Sequence, residues 1–175
     1  MRFSTLTVIL FFALAACKDK APIDASPPAP IKATPLLSAQ GYGPVLFGAK
    51  LDATEQLLGE QGKPLGANDP ACSSVRFDKL TGVRFMVENG VITRADADAG
   101  TPNELGLAVG ETLEQARKKH PEIVIGPHKY VPEGHYLTAR GPDAKSAIVM
   151  EEDGKRITKI RAGLEPAVSY VEGCL

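Results

Sequence analysis

Two tandem units, each a short helix lying on an antiparallel β-meander and sharing one continuous sheet, make up the α+β fold that the sequence predicts. Three observations carry this expectation. Two glycine-led segments, residues 47–59 and 109–121, recur 62 residues apart when aligned on Gly48 and Gly110. Two hairpin signals, Asn89-Gly90 and Asp153-Gly154, recur 64 residues apart between runs that alternate apolar and polar residues. Helices of about two turns are not stable alone, so each needs a sheet to lie on.

The chain begins with Arg2 and an apolar run over residues 6–16, which have the charged start, apolar middle and small-residue exit of a secretory signal. That run is shorter than the roughly 20 apolar residues a membrane-spanning helix needs. Leu14, Ala15, Ala16 and Cys17 resemble the lipobox of bacterial lipoproteins, which implies cleavage before Cys17 and lipidation of its thiol. The alternative is an ordinary signal peptide cut after Ala15, with Cys17 left as a stray thiol. Residues 18–40 hold five of the 14 prolines and almost no apolar periodicity, the composition of a tether. Those 23 residues reach about 70 Å in polyproline conformation. The expected division is a signal peptide over 1–16, a lipidated Pro-rich tether over 17–40, one unit over 41–100 and a second, with a C-terminal strand, over 101–175.

Once residues 1–16 are removed, 19 Lys and Arg face 21 Asp and Glu, which leaves no electrostatic footprint for nucleic acid. With Cys17 lipidated, Cys72 and Cys174 are the cysteines left. In an exported protein they are expected to pair. The bridge would close a loop of roughly 100 residues, worth up to about 4.7 kcal/mol in the chain-entropy account. Two reduced thiols or a two-cysteine metal site are the alternatives, although no Cys-x-x-Cys spacing is present.

Within the first unit, Leu51, Thr54 and Leu58 share a helix face, and Gly59 stops the helix. Val75, Arg76 and Phe77 read as a strand. Residues 83–88 and 91–95 alternate around Asn89-Gly90, the pair a type I′ turn favours. Residues 98–103 form the joint. In the second unit Thr112 and Gln115 have capping-box spacing, Leu113, Ala116 and His120 share a face, and Pro121 stops the helix. Strands follow at 123–125, 135–139, 147–152 and 156–160, the last two around Asp153-Gly154. Pro166 to Glu172 reads as one more extended segment leading to Cys174. Tyr42 reads as a packing anchor.

The pattern of Gly48, Leu58, Gly59, Gly110 and Thr112, each helix followed by a meander, resembles the SmpA/OmlA lipoproteins, a family that includes an accessory subunit of the outer-membrane protein assembly machine. Lys50 stands where the cap threonine of the first copy is expected, and His120-Pro121 replaces Leu-Gly in the second. The doubled arrangement resembles the β-lactamase-inhibitory-protein fold, in which two joined sheets grip a partner. The C-terminal half is also similar to uncharacterised proteobacterial lipoproteins sometimes labelled lectins. Lys18 rather than aspartate follows the lipidated position, which by resemblance to enterobacterial sorting implies the outer membrane, facing the periplasm.

Chemistry-bearing residues gather around one loop. His128, Lys129, Tyr130, His135 and Tyr136 form the densest aromatic and polar cluster of a chain without tryptophan, and are the candidate binding patch. His128, His135 and Glu133 have the ligand types of a two-nitrogen, one-carboxylate metal site, but the spacing matches no familiar ligand pattern. Two strand-end histidines flanking a Pro-Gly loop are the commoner explanation, and no metal or cofactor is expected. His120 suits a helix C-terminus. Glu151 and Glu152 abut a hairpin turn and read as solvated. No nucleophile elbow or phosphate-cradling loop is present, so no catalytic residue is expected. The expected role is non-catalytic: a lipid-anchored envelope protein that binds another envelope macromolecule, protein or glycan, through the open face of its sheet, in outer-membrane assembly or maintenance. A glycan- or peptidoglycan-binding module and a periplasmic inhibitor of a hydrolase are the alternatives.

Overall fold

The computed structural model describes residues 34–66 and 69–174; the expected signal peptide, Cys17 and the tether up to residue 33 lie outside the described residues. Three short strands, β1 (Leu37–Ser38), β2 (Gly41–Tyr42) and β3 (Val45–Leu46), come first, followed by helix α1 (Leu51–Leu58). Next are β4 (Lys63–Pro64), β5 (Cys72–Phe77), β6 (Leu80–Glu88) and β7 (Val91–Ala97). Helix α2 (Leu113–Lys119) precedes β8 (Val124–Pro127), β9 (His135–Arg140), β10 (Ser146–Glu152) and β11 (Ile157–Leu164), and a 3-10 turn lies at Ala167–Ser169. Strands β1–β3 make a small sheet, and the other eight make one antiparallel sheet in the order β4-β5-β6-β7-β11-β10-β9-β8.

The α+β expectation is corrected by this architecture. Strand accounts for about 41% of the chain and helix for 13%, so the fold is predominantly antiparallel β. The two amphipathic segments do form helices, but each fully buries a single side chain, Thr54 in α1 and Ala116 in α2. They cap the core at its margins and do not form a layer over it. The remaining cover comes from the small sheet and the loop before α2, which add Leu37, Tyr42, Val45 and Leu107 to the core beside Phe77, Phe85, Ile148 and Met150 of the large sheet. Leu37 and Ser38, assigned to the tether by composition, belong to this cover: the Leu37 amide donates to the Pro102 carbonyl at 2.9 Å and the Leu37 carbonyl accepts from Glu104 at 2.8 Å.

Local chemistry explains most element ends. Helix α2 starts with the full reciprocal capping box between Thr112 and Gln115, whereas Lys50 gives α1 no side-chain cap. The β6–β7 turn has positive φ at both Asn89 (51°) and Gly90 (75°), as a type I′ turn requires. The β10–β11 connection differs from the two-residue turn expected there. It spans four residues, with positive φ at Gly154 (90°) alone, because the Asp153 carboxylate accepts the amides of Lys155 (3.0 Å) and Arg156 (2.9 Å) and holds a wider turn. Strands β7 and β11 join the two halves of the sheet, pairing Arg94, Ala95 and Asp96 with Gly163, Ala162 and Arg161. Gly163 is required there: a Cβ would lie 2.4 Å from the Thr93 carbonyl oxygen and 2.8 Å from Arg94 Cα.

Cys72 and Cys174 form a disulfide with a Cα–Cα distance of 5.4 Å. It fixes a C-terminal segment that is not the extended strand expected. After Leu164 the chain turns at Ala167–Ser169 and crosses the face of the sheet opposite the core. Among the described residues no helix is long and apolar enough to cross a membrane.

Candidate binding groove

The second face of the large sheet carries cross-strand rows of mainly polar side chains interrupted by a small apolar cluster of Ala147 and Val149. One row runs Arg84, Asp96, Arg161, Val149, Thr138 across β6, β7, β11, β10 and β9. The next runs Lys159, Glu151, Tyr136. This is the face expected to stay open, and the C-terminal segment covers its centre. Val168 packs on Ala147, Val149 and Tyr136. Arg161 Nε donates to the Val168 carbonyl at 2.7 Å, and Arg94 Nη1 donates to the carbonyls of Tyr170 at 2.6 Å and Ala167 at 3.3 Å. The segment is thus held mainly through its main chain.

Both arginines are buried, at 3% and 2% exposure for Arg94 and Arg161, and a buried charge needs a partner. Arg94 pairs with Asp96, and Arg161 pairs with Glu151. Glu151 also meets Lys159 Nζ at 3.1 Å and His128 Nε2 at 3.7 Å. Burial pushes the Glu151 carboxyl up, but the hydrogen bonds from Lys159 and Arg161 outweigh it and hold the group below the usual carboxylate range. Glu151 and Glu152 are 3% and 2% exposed, which corrects the solvated reading. A turn next to them in sequence does not imply water: Glu151 is enclosed on the second face by His128, Lys159 and Arg161, and Glu152, pointing to the opposite face, meets His135.

The structure divides the expected patch. His128 goes inward: its ring stacks on Tyr136 with centroids 4.6 Å apart, and its Nδ1 accepts the amides of Tyr130 (3.1 Å) and Val131 (3.2 Å). The ring proton therefore sits on Nε2, toward Glu151. The Arg161 guanidinium lies 5.8 Å from the Tyr136 ring centroid. His135 turns to a different acid, with Nδ1 2.9 Å from Glu152. Lys129 and Tyr130 stay outside. Tyr130 is 61% exposed, and both contact Glu172 of the C-terminal segment. Among the described residues no three His, Cys, Asp or Glu side chains stand close enough together to hold a metal. His120 caps α2, with Nε2 2.7 Å from the Leu105 carbonyl oxygen.

Beyond the C-terminal segment, where the face is uncovered, lies a concavity of about 130 Å³ lined by Arg76, Arg84, Asp96, Ala97, Asp98, Lys159 and Ile160. Arg76 is committed on two sides, to Asp98 through two hydrogen bonds of 2.7 Å and to the Val83 carbonyl at 3.1 Å. That pairing holds the Asp98 carboxyl below its ordinary range. Arg84 is half exposed and meets Asp96 only at 3.6 Å, and Lys159 is 69% exposed. Both side chains line the concavity. The sequence reading did not single out these residues. Their signal is charge on the solvent-facing positions of β5–β7 and β11, a pattern common to exposed strands.

No protein-family model, curated protein or solved structure matches the chain.

Proposed function

We propose that the protein is a non-catalytic, lipid-anchored envelope protein that holds an acidic glycan of the cell envelope in the groove between Arg84 and Lys159. The observation that carries this reading is the groove's chemistry. Three cations and two carboxylates offer donors and acceptors together in one concavity, and the cations outnumber the acids by one. Sugars are bound by convergent donors and acceptors, and a sugar acid adds an anion for the excess cation. Lipidation at Cys17, a tether of about 70 Å when extended, and an outer-membrane location facing the periplasm belong to the same proposal. They set the body within reach of the cell wall.

Co-sedimentation with purified peptidoglycan sacculi tests the reading. The parent protein is expected to pellet with sacculi at low salt and to be released as salt rises. An Arg84→Ala, Lys159→Ala double variant, shown to be folded by circular dichroism, is expected to remain in solution. Equal retention of both proteins, or no retention of either, would contradict the proposal.

A further inference from the structure

We infer that the face beneath the C-terminal segment is a recognition surface for a short, turn-forming peptide of a partner protein, and that residues 165–174 occupy it in cis as a releasable cover held shut by the Cys72–Cys174 disulfide. The cover is bound as a peptide ligand is bound. It pairs with no strand of the sheet. Its carbonyls at 167, 168 and 170 accept hydrogen bonds from the side chains of Arg94 and Arg161, and one β-branched side chain, Val168, enters a small apolar cleft of Ala147, Val149 and Tyr136. Those contacts read main chain plus one small apolar side chain. They fit a short segment that takes up the same single 3-10 turn and carries a valine-like residue at the Val168 position.

The cradle does not need the cover for electrical balance. Arg94 keeps Asp96, and Arg161 keeps Glu151, which keeps Lys159 and His128. Removing the segment therefore exposes paired charges, not orphaned ones, and the sheet beneath stays formed. The tail past Tyr170 is held more lightly. Glu172 meets the exposed Lys129 and Tyr130, and Cys174 is bonded to Cys72 on the second-face side of β5. Opening follows from reduction by a dithiol protein: the dithiol gives two electrons and two protons to the Cys72–Cys174 bond, leaving two thiols on this chain and a disulfide on the donor. A peptide in trans competes poorly with a segment held in cis at high effective concentration, and competes well once that link is cut.

The test uses the full chain, oxidised, and as the Cys174→Ser variant, with a fluorescent synthetic peptide copying residues 165–172 as probe. Hydrogen exchange at the Ser169 and Tyr170 amides, which close the 3-10 turn, reports opening independently of binding. The expected results are faster exchange at both amides in Cys174→Ser, with the sheet still protected, and peptide binding about 10²-fold tighter than to the oxidised chain. Val168→Asp in the Cys174→Ser background, which weakens the cover in cis, is expected to tighten probe binding further. Unchanged exchange in Cys174→Ser would overturn the releasable cover. Faster exchange without peptide binding would overturn the recognition surface.

Discussion

The buried guanidinium of Arg161 donates to the Val168 carbonyl at 2.7 Å and, from the same side chain, pairs with Glu151 on the neighbouring strand. One residue therefore links the C-terminal segment to the charged centre of the sheet. Replacing it separates a buried acid from its main counter-charge and leaves a buried carbonyl without its donor. Arg161→Met is expected to cost about 3–5 kcal/mol in denaturant unfolding. Adding Glu151→Leu to the same chain is expected to restore part of that loss, since the pair is replaced by apolar groups together.

Stability toward acid follows from the same centre. The folded-state pKa of Glu151 is depressed, so its contribution is present above the unfolded value of about 4.3 and is lost as pH falls through the lower folded value. The melting temperature is expected to fall below about pH 4 in the parent chain. In Glu151→Gln that fall should be shallower, because the group that titrates has been removed. Thermal unfolding followed by circular dichroism between pH 2 and pH 7 gives both curves.

Removing the disulfide acts on the unfolded chain first. Its partners are 102 residues apart, and a loop of that size corresponds to a loss of up to about 4.7 kcal/mol in the chain-entropy account, with 2–4 kcal/mol typical. A Cys72→Ser, Cys174→Ser chain is expected to unfold at lower denaturant with this loss, and with a larger m-value as its unfolded state expands.

At the junction of the two halves, Gly163→Ala sets a methyl against the Thr93 carbonyl and the Arg94 backbone. The strands must part to admit it, at a cost of about 3 kcal/mol. One residue away on β7, the Thr93 hydroxyl is buried without a hydrogen-bond partner. Thr93→Val removes that burden while keeping the shape of the side chain, and is expected to stabilise the protein by about 1 kcal/mol. Paired urea melts of the two variants should therefore move in opposite directions.

How much of this was legible in the sequence depended on whether the deciding interaction was local. The β6–β7 turn was readable from Asn89-Gly90 because two adjacent residues needing positive φ leave few conformations. The α2 cap was readable from Thr112 and Gln115 for the same reason. The Cys72–Cys174 bridge followed from the expected compartment and the number of cysteines left. The fold class was overestimated in helix because amphipathic spacing shows that a helix forms and not how much of the core it covers; Thr54 and Ala116 show how little that is. Strands β1–β3 have two residues each, too few to show a period.

The second face was the least legible part. Arginine is mostly a surface residue, so nothing in one chain announces that Arg94 and Arg161 are buried beneath a segment about 70 residues past the first of them. Glu151 is buried for a similar non-local reason, through Arg161 and His128, and Glu152 on the opposite face through His135. The candidate loop was found, but its parts diverge: His128 and Tyr136 stack inward while Tyr130 faces solvent. The groove of Arg84 and Lys159 brings together strands that only the sheet order makes neighbours.

The most direct measurement on the central claim is a residue-resolved map of where an acidic envelope glycan touches the folded body. Amide chemical-shift changes on titration with soluble, carboxylate-bearing peptidoglycan fragments provide it. The account predicts the largest changes at Arg84, Asp96, Asp98 and Lys159, fading as salt is added, with the loop around Tyr130 unaffected. Changes centred on Tyr130, or none at saturating fragment, would contradict it.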